Sequence, residues 1–153
     1  MIMRANDHPS FLKLHEVYET DRSIYLVKEY LPTLTLHSLL SDKDLPLSHC
    51  GLKAIKIMGS LLRALDYLSS RGFMHRDLNP ENILIDKDGN VKITDFGLVT
   101  RLSVSNNHTD ERCGAPGYIA PEVFKYDKRV ISTTYNAKCD VFSAGCIFFE
   151  MYG

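Results

Sequence analysis

The longest helical period in the chain runs from Ser48 to Ser70. Leu52, Ile55, Met58, Leu62, Leu65 and Leu68 fall on one broad face at helical spacing. Ser48 is placed as an N-cap and Gly72 as a terminator just past the C-terminus. Before this helix, Phe11 to Glu19 alternates in part and reads as a strand. Asp21-Arg22-Ser23 supplies a turn, and Ile24-Tyr25-Leu26-Val27 reads as a second strand, so the pair is a hairpin that Pro32 ends. Residues 34–40 are leucine-rich and read as one or two helical turns. After the helix, Ile83-Leu84-Ile85 and Val91-Lys92-Ile93-Thr94 read as short strands joined by the turn Asp88-Gly89-Asn90.

Residues 98–119 lack a period and are polar in their first half, with Ser103, Ser105, Asn106, Asn107, His108 and Thr109. A long loop of this kind inside a domain is usually functional. Residues 138–152 are apolar nearly all round, which predicts a helix buried on every side. The sequence stops at Gly153 with nothing left to cover that helix, so it reads as cut short.

Composition narrows the class. A chain of 153 residues with a net charge of −1 reads as one ordinary globular domain. It has no basic run for nucleic acid or a membrane surface, no apolar stretch long enough to span a bilayer, and no signal core at its N-terminus. Cys50, Cys113, Cys139 and Cys146 lack metal-site spacing and read as free thiols in a reducing cytosol or nucleus.

The candidate chemistry lies in three short motifs. His75-Arg76-Asp77-Leu78-Asn79-Pro80-Glu81-Asn82 is followed by Asp95-Phe96-Gly97 and then by Ala120-Pro121-Glu122. Phosphoryl transfer needs a carboxylate to orient an attacking hydroxyl and oxygen ligands to hold Mg²⁺ on nucleotide phosphates. Three such motifs, in this order and on these elements, do not arise together by accident.

On these residues the chain resembles the protein kinase family, in its serine/threonine branch. The residues around Asp95 and in Cys113-Gly114-Ala115-Pro116-Gly117-Tyr118 are most similar to the calmodulin-dependent and cyclic-nucleotide-dependent groups. The resemblance implies an α+β, bilobal kinase fold in part. Residues 1–31 would be the end of the small lobe and the hinge, and residues 32–153 a portion of the mainly helical large lobe. It implies ATP and Mg²⁺ as cofactors and a protein serine or threonine hydroxyl as substrate, with no nucleic acid and no membrane partner.

The roles follow by position. Asp77 would be the catalytic base, with Asn79 beside it. Asn82 and Asp95 would hold Mg²⁺, and Glu29, Leu31, Glu81 and Leu84 would surround the nucleotide, with Glu29-Tyr30-Leu31 as hinge and Leu84 as adenine floor. Arg76, Thr109, Glu111 and Glu122 belong to the activation segment. Thr109 reads first as a solvated loop group and second as a phosphosite. His75 and Phe96, with Leu14 and Met3, would form an apolar column joining the lobes.

The sequence also departs from the pattern. The glycine-rich loop, the phosphate-gripping strand lysine and its helix glutamate are absent, so the isolated chain is expected to be inactive. Asn79 stands where a lysine is usual, and Ala115 where a threonine is usual. Glu111 falls near the usual activating phosphate and reads either as a standing partner for Arg76 or as a solvated carboxylate. Lys28 precedes the hinge, where it would snorkel outward, pair with a carboxylate such as Asp95, or replace the missing lysine. Two other readings remain: a pseudokinase or docking module using the large-lobe surface, and a non-functional remnant.

Overall fold

A computed structural model describes residues 7–42, 51–102, 109, 111–124 and 135–152. Strands β1 (Leu14–Glu19) and β2 (Ile24–Lys28) form an antiparallel hairpin. β3 (Leu34–Thr35) runs directly into helix α1 (Leu36–Ser41), whose N-cap Thr35 accepts the Ser38 N–H at 3.1 Å. Helix α2 (Gly51–Ser70) is followed by β4 (Phe73–Met74). A single 3₁₀ turn, Pro80–Asn82, leads to the hairpin β5 (Ile83–Ile85) and β6 (Val91–Ile93). Then come β7 (Thr100–Arg101), the one-turn helix α3 (Pro121–Phe124) and helix α4 (Lys138–Tyr152).

The strands make three small antiparallel sheets: β1–β2, β3–β5–β6 and β4–β7. The architecture is α+β, with a strand-rich beginning and a mainly helical remainder.

The first strand is shorter than its sequence pattern. Phe11 leaves the hairpin and lies parallel to Ile93 of β6. The Leu12 N–H donates to the Ile93 carbonyl at 2.9 Å, and the Ile93 N–H to the Ser10 carbonyl at 2.7 Å. This stitch ties the segment before β1 to the strand that leads into Asp95. Gly72 ends α2 with φ +74, a left-handed cap that favours a residue without Cβ. Ser48, the proposed N-cap, lies outside the described residues, as does Met3.

The buried face of α2 matches the row expected from sequence only in part, at Leu65, Leu68 and the half-buried Met58. Ala54, Ile57, Leu61, Ala64, Leu65 and Leu68 are buried, whereas Leu52 is 85% exposed and Ile55 and Leu62 are exposed as well. The true stripe contains two alanines. Their small side chains carry little hydrophobic signal, and a stripe that includes them favours close helix packing. The core joins this stripe to Leu36, Leu78, Ile83, Ile93, Ile147 and Met151.

Helix α4 likewise departs from all-round burial. Cys139, Asp140, Ser143, Ala144, Ile147 and Met151 face inward. Val141, Phe142, Phe148, Phe149 and Tyr152 are exposed. Two of the six inward residues are polar, and both hold backbone groups of neighbouring loops.

These assignments separate cleanly by mutation. Leu61→Ala should destabilise the fold by about 2–5 kcal/mol in denaturant titration. Leu52→Ala should stay within about 0.5 kcal/mol of the parent. Equal losses at the two positions would restore the leucine-row face.

Candidate active site

β4 delivers the chain to a loop that begins at His75. Asp140, on the first turn of α4 and 3% exposed, accepts the backbone N–H groups of His75 at 2.7 Å and Arg76 at 2.8 Å. Burial raises its carboxyl above the ordinary range, while these N–H donors pull it down. Arg76 is held with φ +69, a left-handed conformation unusual for a residue with a side chain. Burial lowers the His75 imidazole from its ordinary value. A neutral ring with its proton on Nε2 fits both neighbours. Nε2 donates to the Thr94 carbonyl at 3.2 Å, and Nδ1 accepts the Asp77 N–H at 3.4 Å. His75 is therefore a packed structural group, not a proton carrier.

Asp77 follows in the loop, and its carboxylate is fixed by two amides. Asn79 Nδ2 donates to Oδ1 at 3.2 Å, and Asn82 Nδ2 donates to Oδ2 at 3.1 Å. The same two amides also donate to the Asp77 carbonyl at 3.1 and 2.8 Å. Asn79 Oδ1 meanwhile accepts the N–H groups of Glu81 and Asn82, capping the 3₁₀ turn. Asn79 thus serves both the turn and the carboxylate.

The β5–β6 hairpin brings the second carboxylate close. The Thr94 N–H donates to the Asn82 carbonyl at 2.9 Å, which sets Asp95 beside the loop. Asp95 has φ +55, and its Oδ1 accepts the Gly97 N–H at 3.2 Å. Phe96 turns inward and packs edge-on against His75 and Phe11, each at 5.2 Å between centroids. The apolar column therefore continues from Phe96 to Phe11.

Asp77, Asn79, Glu81, Asn82, Asp95 and Ala115 line one cleft of about 600 Å³. Asn82 and Asp95 each have one oxygen without a partner among the described residues. One neutral and one anionic oxygen ligand suit Mg²⁺, which keeps several waters and uses substrate phosphates for the rest of its shell. Among the described residues no group of three His, Cys, Asp or Glu side chains is placed to hold an ion by protein alone.

Arg76 connects this loop to two others. Its Nε donates to the Leu98 carbonyl at 2.7 Å, and its Nη1 pairs with Glu111 at 2.6 Å. Glu111 is held from the other side by Tyr135, whose hydroxyl donates to the Glu111 carbonyl. Thr109 and Tyr135 exchange two backbone hydrogen bonds, at 3.0 and 2.9 Å. Gly114 has φ +116, and a Cβ there would lie 2.9 Å from the Arg76 carbonyl, so only glycine fits. Glu122 is exposed in the first turn of α3.

The remaining nucleotide-side candidates lie outside the cleft lined by Asp77. Leu31 and Leu84 are half-buried, and Leu84 pairs with Lys92 across β5–β6. Glu29 forms an ion pair with Lys92 at 3.1 Å and accepts the Lys13 N–H at 3.1 Å. Burial pushes the Glu29 carboxyl up, but these partners outweigh it and leave it below the ordinary carboxylate range. The stability it contributes is present above the ordinary carboxylate pKa and is lost as pH falls through the lowered value. Lys28 is turned to solvent and does not pair with Asp95. The half-buried ammonium beside Glu29 belongs to Lys92.

A family model described as the protein kinase domain matches residues 1–153. The chain belongs to the protein kinase family. It is 33% identical to the serine/threonine-protein kinase cds1 of Schizosaccharomyces pombe, over 98% of this chain and 32% of that protein. It is 37% identical to CBL-interacting serine/threonine-protein kinase 21 of Arabidopsis thaliana, over 97% of this chain and 33% of that protein. It is 41% identical to CBL-interacting serine/threonine-protein kinase 15 of the same plant, over 97% of this chain and 34% of that protein. The chain spans about a third of the length of these relatives. The α+β architecture is that of the kinase fold in part. No described helix is long and apolar enough to cross a membrane.

Sequence reasoning missed Asp140, Tyr135 and Lys92. Asp140 carried a partial signal, since a carboxylate on the inward face of a largely apolar helix needs hydrogen-bond donors around it. Replacing it tests its role in this kinase-family loop. Asp140→Ala leaves two buried N–H groups without an acceptor and should cost at least about 2 kcal/mol. Hydrogen exchange at the His75 and Arg76 amides should quicken; unchanged exchange at both would show that another group holds the loop.

Proposed function

We propose that this chain carries the catalytic loop of an ATP- and Mg²⁺-dependent serine/threonine protein kinase. The observation that supports this most is the Asp77 carboxylate, locked between the Asn79 and Asn82 amides beside Asp95 in an open cleft. In this reading residues 1–31 are small-lobe and hinge, and residues 32–153 are large-lobe. Asp77 orients a serine or threonine hydroxyl of a protein substrate and takes its proton. The hydroxyl oxygen bonds to the γ-phosphorus as the bond from that phosphorus to the β-phosphate oxygen breaks, and ADP leaves. Mg²⁺, held by Asn82 and Asp95, would neutralise the phosphates. The backbone of Glu29 and Leu31 and the side chain of Leu84 take the adenine, with Glu81 at the rim. Arg76 and Glu111, with Thr109 and Glu122 on the same segment, hold the activation segment in place. Cys113, Cys139 and Cys146 are free thiols, which suits a cytoplasmic setting.

A second reading, a docking module without turnover, is supported by Asn79. It turns its amide onto Asp77 and presents no cation to a transferring phosphate. The exposed aromatics Phe148, Phe149 and Tyr152 of α4 would then contact a protein partner. Mg²⁺-dependent nucleotide binding separates the two, since a docking module has no need of it.

Two substitutions test the enzyme reading. The isolated chain is expected to be inactive, so both are made in an intact kinase domain that contains it: there Asp77→Asn should lower turnover by about three decades or more, and unchanged activity would remove Asp77 from its role. Asn79→Lys combined with Ala115→Thr should raise turnover by about two to three decades if a cation at 79 assists transfer. No gain would show that the Asn79 amide serves equally well.

A further inference from the structure

The half-buried ion pair between Lys92 and Glu29 lies away from the catalytic loop, and no step above uses its side chains. Both groups are largely shielded, with 20% of the Lys92 and 27% of the Glu29 side chain exposed. Glu29 Oε2 accepts from Lys92 Nζ and from the Lys13 N–H, both at 3.1 Å. The Glu29 N–H donates to the Lys13 carbonyl at 2.8 Å. Lys92 Nζ also lies 3.4 Å from the Phe11 carbonyl. Residue 29 is therefore tied at main chain and side chain to a segment that is itself stitched to β6 through Ser10, Leu12 and Ile93.

β6 is the strand that carries Lys92 and, three residues later, Asp95. The hinge backbone and a candidate metal ligand are thus joined through one short run of strand. A half-buried carboxylate shared by an ammonium and a backbone donor is stiffer than a pair of solvated side chains, because two donors hold one oxygen at once. Small displacements of a binding group cost rate and affinity steeply.

We propose that Lys92 is a positioning residue for the nucleotide, acting through Glu29 to fix the hinge backbone at residues 29–31 relative to Asp95. This rests on the reading that those residues take the adenine. Lys92 touches no substrate; its effect passes through the carboxylate it holds.

The test compares Lys92→Met with Lys92→Arg in an intact kinase domain that contains this chain. Lys92→Met removes the charge and keeps most of the stem. KM for ATP should rise roughly three- to tenfold, while KM for the phosphoacceptor stays within about twofold. Lys92→Arg keeps the pair and should hold KM for ATP within about twofold of the parent. A KM for ATP unchanged in Lys92→Met overturns the inference. So does an equal rise for both substrates, which would mark a general loss of structure. Hydrogen exchange at the Lys13 amide reads the contact without turnover. It should quicken in Lys92→Met, and an unchanged rate also overturns the inference. A parent protein without Mg²⁺-dependent ATP binding would instead sink the kinase reading, a result distinct from either variant's behaviour.

Discussion

The carboxylate of Asp140 accepts two consecutive backbone N–H groups, from His75 and Arg76, and the site's geometry depends on that contact. Two adjacent N–H groups pointing the same way require an irregular backbone, and Arg76 supplies it with φ +69. Such a conformation persists only where its surroundings over-determine it. Burying a carboxylate is costly, and charge-assisted hydrogen bonds from fixed amides offset much of that cost. Helix α4 and the loop therefore stabilise each other. The helix supplies the acceptor, and the loop supplies the donors that make a buried acid tolerable. Asp77 is the next residue, so its position follows from theirs.

Arg76 extends this constraint beyond one loop. Its backbone is fixed by Asp140, its guanidinium reaches Leu98 and Glu111, and its carbonyl lies where a side chain at 114 would stand. The pair with Glu111 is asymmetric, since the Arg76 side chain is 6% exposed and that of Glu111 65%. An isolated pair with one exposed partner contributes little to stability. Its value here is geometric, because the buried member cannot move without disturbing Asp140, Leu98 and Gly114. The ring contacts from His75 through Phe96 to Phe11 add a second, apolar brace behind the same loop.

Much of this was legible in the sequence, for identifiable reasons. The β5–β6 hairpin, the Gly72 cap and the extent of α4 each rest on local backbone chemistry, and local chemistry is written locally. The motifs around Asp77 and Asp95 flank the β5–β6 hairpin, and the structure brings both carboxylates to one cleft. What failed was mostly decided by distant partners, the Arg76–Glu111 pair being an exception that one reading of Glu111 anticipated. The α2 face was assigned to Leu52, Ile55, Met58, Leu62, Leu65 and Leu68, because leucine and isoleucine outweigh alanine in any hydrophobic pattern; Leu65 and Leu68 are buried, but Leu52, Ile55 and Leu62 are exposed. The structure chose Ala54 and Ala64, whose burial depends on what packs against them. Lys28 turns outward, one of the alternatives its sequence position offered, whereas the pairing of Lys92 with Glu29 was not anticipated, because it is set by the fold of β6 against residues 10–13.

Asn79 shows why a familiar motif does not by itself fix a mechanism. A lysine at this position would contribute a mobile cation; an asparagine contributes a rigid amide with both a donor and an acceptor. The structure uses both ends, the oxygen on the Glu81 and Asn82 N–H groups and the nitrogen on Asp77. The substitution therefore exchanges charge stabilisation for preorganisation. A fixed carboxylate favours a well-placed hydroxyl, because orientation alone removes a large part of a bimolecular barrier. It does nothing for charge on the departing phosphate, which an asparagine cannot neutralise. On the proposed reading, the site would hold its base in place more strongly than it would disperse phosphate charge, and a metal held by Asn82 and Asp95 would have to carry most of that second burden.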